Sequence, residues 1–356
     1  MDLFFDLLRV SIGEREGLSR VPSDREWNAL MKLATEQALI GVCFFGINRL
    51  PKEQMPPQGV LLKWMALANV VRQRNALLND RCGEVMQKFE ADGFCPVILK
   101  GQGNALMYPD PAARQCGDID VWLHGDKKRI VDYVNSIDSK EHFAHIHHID
   151  LDYFKDVHVE VHYALGMTNA SPLNKSIYNW FNQLDKTTFP SVTLPNGKNI
   201  RMMPLEVNLV YQLCHIDQHF GPGGIGLRQI LDYYYLLHQA KSHGVDFQAI
   251  KSTVRKLGML RLAEALMYVL RELFGLGEEL MPFPINERTG KFLLKEIMIS
   301  GNLGKKRRLT SKGSKRRFQQ LSKFFYSTRF LPYFPGTFFC YYYRAVYWRM
   351  KHYVKE

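Results

Sequence analysis

The chain lacks any long uncharged apolar run, although 46% of its 356 residues are apolar. A membrane-spanning helix needs about 20 consecutive, mostly apolar residues, so the sequence predicts no transmembrane segment. The opening residues, Met1 to Asp6, carry two acids and lack the basic flank of a secretory signal. We therefore expect a cytoplasmic protein.

Closely spaced cysteine pairs are also missing. The six cysteines are scattered along the chain, and no two of them form a Cys-x-x-Cys pair. Disulfide frameworks and zinc ribbons depend on regular cysteine spacing, so neither is predicted here. Free thiols in a reducing compartment agree with the expected cytoplasmic location.

Acidic residues are almost absent from the last 56 positions. Residues 301–356 hold 14 Lys and Arg against a single acid, Glu356, a balance of +13. The other 300 residues hold 33 basic and 34 acidic side chains, a balance of −1, so the net charge of +12 belongs to this tail. Because residues 318–353 are also aromatic, the tail suits an anionic membrane surface or single-stranded nucleic acid. The first interpretation is nevertheless a helix packed on the body with solvated charges, followed by the membrane surface and then by nucleic acid.

Hydrophobic spacing divides the rest of the chain into three regions. Apolar residues at helical spacing predict helices on both sides of a short stretch that alternates like strands. The predicted fold is α+β, a small mixed sheet with flanking helices between helical N- and C-terminal regions. The predicted regions are an N-terminal helical region (1–94), an α/β unit (95–203), a helical domain (204–300) and the basic aromatic tail (301–356). Helices are expected near 127–137, 205–219, 226–239, 247–256, 260–274 and 288–300, and strands near 142–153 and 157–164.

A glycine turn follows the first predicted strand. Val97–Leu99 is apolar and of strand length, Gly101 and Gly103 interrupt it, and residues 104–108 fit a short helix. Backbone N–H groups of such a turn, together with the positive end of the helix, bind phosphate. Lys100 adds a cation beside the turn. This pattern is typical of a phosphate-binding site.

Two acids alternate with apolar residues on the second predicted strand. Asp118 and Asp120 are separated by Ile119 and followed by Val121. Side chains at i and i+2 of a strand share one face, so the two carboxylates lie close together and repel each other. A hard divalent cation such as Mg²⁺ relieves that repulsion, while a solvated strand edge is the alternative.

A third carboxylate is expected from a later strand. Glu160 stands between Val159 and Val161, and it would join the first two acids if its strand paired beside theirs. Asp150 and Asp152 alternate in the same way and are rival candidates. We prefer Glu160.

Histidines offer a competing metal interpretation. His158, Glu160 and His162 share one face of a strand, which would supply three ligands to zinc but leave the two aspartates unexplained. Five histidines also cluster in sequence, at positions 142, 145, 147, 148 and 158. We interpret these five as the exposed face of a hairpin rather than as a metal cluster.

Polar residues of the later helices are further candidates. His215 lies on one predicted helix, while Arg228 and Asp232 lie four residues apart on the next. One interpretation places all three around a nucleotide or its acceptor. The other is an intrahelical ion pair and a hydrogen-bonded histidine.

Four motifs together resemble a known family. Leu-Lys-Gly at 99–101, Arg114, Gly-Asp-Ile-Asp at 117–120 and Val-Glu-Val-His at 159–162 are similar to the bacterial nucleotidyltransferases often described as uncharacterised. That family belongs to the DNA polymerase beta-like nucleotidyltransferase superfamily, whose pattern is a Gly-Gly or Gly-Ser turn, Asp-x-Asp and a later carboxylate. The chain departs from the pattern at Gln102, which stands where a small residue is usual.

The resemblance implies an enzyme that transfers a nucleoside monophosphate from an NTP, such as ATP, to an acceptor and releases pyrophosphate. Asp118, Asp120 and Glu160 would be the catalytic residues and would hold two Mg²⁺ ions. The implied nucleotide-binding residues are Lys100, Gly101, Gln102, Gly103, Arg114, His215, Arg228 and Asp232. The acceptor is unidentified, with a small molecule or cell-envelope precursor as the first expectation. RNA or protein modification in a toxin or defence role, and a catalytically silent nucleotide-binding protein, are the alternatives.

Overall fold

The fold is α+β, as predicted. The computed structural model describes residues 2–138, 140–166, 168, 174–220, 224–302 and 325–339. The helices are α1 (Asp2–Ile12), α2 (Asp24–Glu36), α3 (Ile40–Ile47), α4 (Gln58–Ala91), α5 (Gly101–Ala105), α6 (Lys127–Ile137), α7 (Asn174–Asn182), α8 (Leu205–His219), α9 (Leu227–Ser242), α10 (Phe247–Lys256), α11 (Leu260–Phe274) and α12 (Glu287–Ser300). The strands are β1 (Val97–Leu99), β2 (Ile119–Trp122), β3 (His148–Leu151), β4 (Val159–His162), β5 (Ser191–Thr193) and β6 (Asn199–Arg201).

Four strands form the central mixed sheet in the order β1-β2-β4-β3. Strand β2 pairs antiparallel with β1 and parallel with β4, and β3 pairs antiparallel with β4. The register places Asp120 beside Glu160, and Glu160 beside Asp150 on its other side. Because paired residues of neighbouring strands point to the same face, three acids lie side by side across the sheet.

Helices α4 and α6 cover the sheet. Leu78 and Phe89 of α4 and Ile130 of α6 are buried in one hydrophobic cluster with Val121 and Val161 of the strands. This apolar layer fixes which face of each strand is buried. The opposite face carries the acids and histidines, together with Leu99 and Trp122, which are buried on that side.

The two helical regions share a second core. Helix α1 packs against α3 and α11, and the Nε atom of Arg9 donates to the backbone oxygen of Leu273 at 3.1 Å. Leu7 of α1 and Leu266 of α11 are both fully buried in the same cluster. The N-terminal helices therefore pack directly on the later helices, although the sequence places them in different regions.

Part of the aromatic tail packs on this core. Phe330 and Phe334 are buried, and their rings lie 5.1 Å and 4.8 Å from the ring of Phe220. The basic run 305–308 lies outside the described residues. Among the helices that the structure describes, none combines the length and the hydropathy needed to cross a bilayer.

Candidate active site

A cleft of about 260 Å³ lies beside Asp120 of β2 and Glu160 of β4, where α5, α8 and α9 meet the sheet. The structure brings nine of the eleven predicted site residues to its walls. They are Lys100, Gly101, Arg114, Asp118, Asp120, Glu160, His215, Arg228 and Asp232. Gln102 and Gly103 do not line it.

Asp120 is buried between two cationic groups. Its Oδ2 atom lies 3.1 Å from Lys100 Nζ, and its Oδ1 atom lies 2.9 Å from His162 Nε2. Burial alone would raise the pKa of the Asp120 carboxyl, but the charges of Lys100 and His162 outweigh it and hold the pKa well below its usual range. Asp120 is therefore ionised at neutral pH.

Glu160 lies beside Asp120 and faces the same histidine. His162 Nε2 is 3.5 Å from Glu160 Oε2, and the Glu160 side chain is half-buried. Burial opposes ionisation, yet the hydrogen bond from His162 and the nearby His148 lower the pKa of the Glu160 carboxyl. Ligand atoms of Asp120, Glu160 and His162 all lie within 4.8 Å of one another, a spacing that a single metal ion could span.

Asp118 differs from Asp120 although the sequence places them on one strand face. Asp118 precedes the first residue of β2, is exposed, and has no ion pair within the described residues. The protein around the cleft mouth limits its hydration, and Asp120 repels its charge, so the pKa of the Asp118 carboxyl is raised. Asp118 is thus a carboxylate without a cationic partner, next to a cleft that contains two more carboxylates.

The donor set fits a divalent cation. Asp118 and Glu160 present carboxylate oxygens at the cleft, and oxygen donors are the ligands that Mg²⁺ prefers. Limited hydration, and the charges of Asp120 and Glu160, raise the pKa of Asp118 and so disfavour its charged form without a metal. Lys100 and His162 neutralise Asp120 in this arrangement.

The predicted glycine turn is a helical turn instead. Helix α5 begins at Gly101 and ends at Ala105, whereas the sequence predicts a helix over 104–108. Lys100 has a φ of +51° and Gly101 a φ of +42°, so the chain reverses sharply between β1 and α5. This strained backbone turns the Lys100 side chain toward Asp120.

Gln102 and Gly103 serve packing rather than facing the cleft. The Gln102 amide donates to Asn79 Oδ1 and, at 3.3 Å, to the backbone oxygen of Asn75 in α4. A Cβ atom at Gly103 would lie 2.6 Å from the methyl carbon of Met202. The large residue at position 102 is accommodated because its side chain enters the interface with α4.

Arg114 and Asp232 form a buried pair that the sequence did not predict. Arg114 Nε and Nη2 donate to the two Asp232 oxygens at 2.7 Å and 2.6 Å, and Tyr108 donates to Oδ1 at 2.7 Å. Burial disfavours the Asp232 carboxylate, but Arg114 more than compensates and lowers its pKa. The predicted intrahelical pair between Arg228 and Asp232 is therefore replaced by a long-range pair with Arg114.

Arg228 and His215 keep unused hydrogen-bonding capacity. Arg228 Nη1 donates to the backbone oxygen of Gln115 at 2.6 Å, its Nε has no partner, and no carboxylate among the described residues pairs with it. His215 Nδ1 is buried without a hydrogen bond. Burial and the charge of Lys100 lower the pKa of the His215 imidazole, so it is neutral at pH 7. The cleft thus contains a guanidinium available to an anion and a neutral imidazole.

The sequence interpretation was least accurate for the contacts and burial of the histidines. His162 was considered only as a zinc ligand with His158, yet it bonds to Asp120, while His158 lies near Asp150 instead. Of the five clustered histidines, only His145 and His158 are exposed, and His147 and His148 line the cleft. The alternation of residues along 159–162 could not identify the contact between His162 and Asp120, because that contact depends on which strand pairs beside β4.

His162 should make the stability of the metal-free protein depend on pH. Burial opposes protonation, but hydrogen bonds to Asp120 and Glu160 raise the pKa of His162 above its usual value. In EDTA we expect the contribution of His162 to the free energy of unfolding to fall as pH rises from about 6.5 through that raised pKa, by about 1.4 kcal/mol per unit of pKa shift. Up to about pH 7.5 the histidines with lowered pKa values contribute a slope of the opposite sign, so the His162 contribution is read as the difference between the wild type and a His162 variant. Urea titrations of the wild type and of His162→Gln test this, and an equal slope in both would contradict it.

One comparison with known proteins identifies a family for this chain. A family model described as "Uncharacterised nucleotidyltransferase" matches residues 23–275, well over half of the chain. One similar solved structure is that of an antigenic nucleotidyltransferase-like protein from Paracoccidioides brasiliensis, at 16% identity and a TM-score of 0.38, covering 59% of this chain and 95% of that one. A search of curated proteins gives no significant match.

Proposed function

Because the chain belongs to the family of uncharacterised nucleotidyltransferases, we propose that it transfers a nucleoside monophosphate from an NTP to an acceptor with the help of bound Mg²⁺. The observation that carries the proposal is the pairing of Asp120 beside Glu160, with Asp118 at the mouth of the same cleft. Three carboxylates around one cleft are the donor set of a metal-dependent phosphate chemistry.

Asp118, Asp120 and Glu160 would hold the two Mg²⁺ ions. When bound, the metal supplies positive charge to the phosphate oxygens of the NTP and orients the reacting groups. His162 and Lys100 keep Asp120 ionised, which preserves its oxygens as ligands.

Lys100 and Arg228 would bind the triphosphate. Both line the cleft, and Arg228 has no carboxylate partner among the described residues. The backbone N–H group of Gly101, at the start of α5, would add a donor to the phosphates. His215, neutral because it is buried, would donate or accept a hydrogen bond without adding charge.

The reaction forms a bond between an acceptor oxygen and the α-phosphorus. The bond from that phosphorus to the oxygen bridging the α- and β-phosphates breaks, and pyrophosphate leaves. Glu160, ionised because His162 lowers its pKa, would accept the proton of the acceptor hydroxyl. The acceptor is expected to be a small molecule or cell-envelope precursor.

Replacement of Glu160 distinguishes the proposed Mg²⁺ site from a zinc site that would include His158. We expect Glu160→Gln to lower pyrophosphate release by about a hundredfold or more, because it removes both a metal ligand and the proton acceptor. His158→Ala should have little effect, since His158 is exposed and does not line the cleft. Pyrophosphate release coupled to a phosphatase assay measures both. Equal losses in the two variants would contradict the assignment.

The basic tail is proposed to hold the protein at an anionic membrane surface. Residues 301–356 carry a net charge of +13, against −1 for the rest of the chain, so attraction to acidic lipid would come from these residues. Screening over a Debye length of about 8 Å at physiological salt should weaken binding to acidic liposomes steeply as salt rises. Flotation of the wild type and of a variant with neutral residues at 305–308 tests this, with RNA gel shifts alongside. Stronger binding to RNA, or none to either partner at low salt, would contradict it.

A further inference from the structure

We propose that the outer edge of the sheet carries a second metal site, for Zn²⁺ or a similar late first-row ion, formed by His145, His148 and Asp150. Ligand atoms of these three residues all lie within 4.8 Å of one another. They are a different group from Asp120, Glu160 and His162, and the two groups are neighbours: His148 also lines the cleft, and its Nε2 atom lies 3.9 Å from Glu160 Oε2. The sequence interpretation treated these histidines as a solvated hairpin face.

The geometry around Asp150 is that of a ligand set. His145 Nε2 lies 3.5 Å from Asp150 Oδ2, and His148 Nε2 lies 3.7 Å from Asp150 Oδ1. Two ligands of a tetrahedral Zn²⁺ ion, each about 2.0–2.1 Å from it, are about 3.3–3.5 Å apart. Neither contact has the geometry of a hydrogen bond, so these nitrogens converge on the carboxylate without being bonded to it.

Two imidazoles and one carboxylate suit Zn²⁺, Co²⁺ or Ni²⁺ better than Mg²⁺. Three protein ligands and one open position are typical of a zinc site that binds water. His158 also approaches Asp150, with its Nε2 atom 3.3 Å from Asp150 Oδ1, but its ligand atoms do not all lie within 4.8 Å of those of His145 and His148.

Neighbouring groups set the tautomer of His148. Its Nδ1 atom lies 3.1 Å from His147 Nε2, and the amide nitrogen of Gln218 lies 3.3 Å from the same His147 atom. An amide NH₂ can only donate, so His147 Nε2 is an acceptor. The tautomer with the proton on His148 Nδ1 satisfies both contacts, and it leaves His148 Nε2 with a lone pair directed at Asp150. Metal-bound histidines are usually held in this way through their second nitrogen.

The backbone holds the two histidines together. The His145 N–H donates to the His148 backbone oxygen at 2.8 Å, and the Tyr163 hydroxyl donates to the His145 oxygen. The two imidazole rings are stacked, with centroids 4.6 Å apart and planes 27° apart. His145 and His148 are thus brought side by side before any ion binds, which lowers the conformational cost of binding.

Metal titration of the full-length protein tests the site. After removal of metal with a chelator, the protein is titrated with Zn²⁺ by calorimetry and with Co²⁺ by visible absorption, both in excess Mg²⁺ to occupy oxygen-rich sites. We expect one Zn²⁺ per chain and a Co²⁺ absorption band. His145→Ala and Asp150→Asn should each weaken Zn²⁺ binding by about a hundredfold and remove the band.

Two control variants locate the ion. His243→Ala removes an exposed histidine at the end of α9 and should bind Zn²⁺ as the wild type does. Asp120→Asn alters the cleft and should also retain Zn²⁺. His145 is nearly half-exposed, with 48% of its side chain accessible, so its replacement leaves the fold intact, which circular dichroism checks.

Three results would overturn the proposal. They are the absence of stoichiometric Zn²⁺ binding to the wild type, unchanged affinity in both His145→Ala and Asp150→Asn, and a loss in Asp120→Asn as large as that in His145→Ala. The last result would place the ion in the cleft.

Discussion

Asp118→Asn and Asp120→Asn should both abolish nucleotidyl transfer but change stability in opposite directions. Each removes a charged oxygen donor from the proposed Mg²⁺ site, which should cost on the order of a hundredfold to a thousandfold in turnover or more. In metal-free protein, Asp118→Asn should hold or raise the free energy of unfolding, because limited hydration and repulsion by Asp120 outweigh the attraction of Lys100 and Arg228 for the Asp118 charge. Asp120→Asn should lower it by about 3 kcal/mol, because Lys100 is left with a buried, unpaired charge.

Steady-state pyrophosphate release and urea unfolding in EDTA measure the two effects. Lys128→Ala is a matched control, because Lys128 pairs with Asp132 on the surface and such pairs contribute little. Full activity in either aspartate variant would contradict the proposed mechanism. Equal stability of the two variants would contradict the different environments assigned to Asp118 and Asp120.

Disruption of the Arg114–Asp232 pair should cost more stability than any surface ion pair. The two side chains are only 4% and 2% exposed, and two parallel hydrogen bonds join them. Asp232→Asn leaves the Arg114 charge uncompensated in the interior, so we expect the free energy of unfolding to fall by about 3–5 kcal/mol. Urea titration measures this loss.

A surface pair provides the comparison for that variant. Asp110→Asn breaks the pair with Arg72, whose side chain is 48% exposed, and should cost less than about 1 kcal/mol. The double variant Arg114→Met/Asp232→Leu should recover part of the loss, since it leaves no buried unpaired charge. A loss in Asp232→Asn no larger than in Asp110→Asn would show that the pair does not hold α9 against the sheet.

Helices with a clear apolar period could be predicted from the sequence. The expected bounds 127–137, 205–219, 247–256 and 260–274 agree with α6, α8, α10 and α11, because local spacing and capping residues determine where such helices begin and end. At the N-terminus of α6, the Asp126 side chain accepts from the Arg129 N–H. The Asn-Gly pair at 196–197 is a local hairpin signal of the same kind: it lies between β5 and β6, with Gly197 at a φ of +81°.

Partners of the charged residues could not be predicted. The sequence shows that Asp118 and Asp120 are near each other, but not that Lys100 and His162 neutralise only one of them. Arg114 and Asp232 are 118 positions apart, so no local pattern reports their contact. Such pairs depend on how the helices dock against the sheet, which neither periodicity nor motif spacing specifies.

The position of the transferred phosphorus tests the central claim most directly. The purified protein would be incubated with Mg²⁺, a small-molecule extract and NTPs labelled either at the α- or at the γ-phosphate. We predict that label from the α-phosphate enters a product while label from the γ-phosphate leaves as pyrophosphate. With Asp118→Asn we expect neither labelled product nor labelled pyrophosphate. Transfer of the γ-label, or no transfer from any of the four NTPs, would contradict a nucleotidyltransferase.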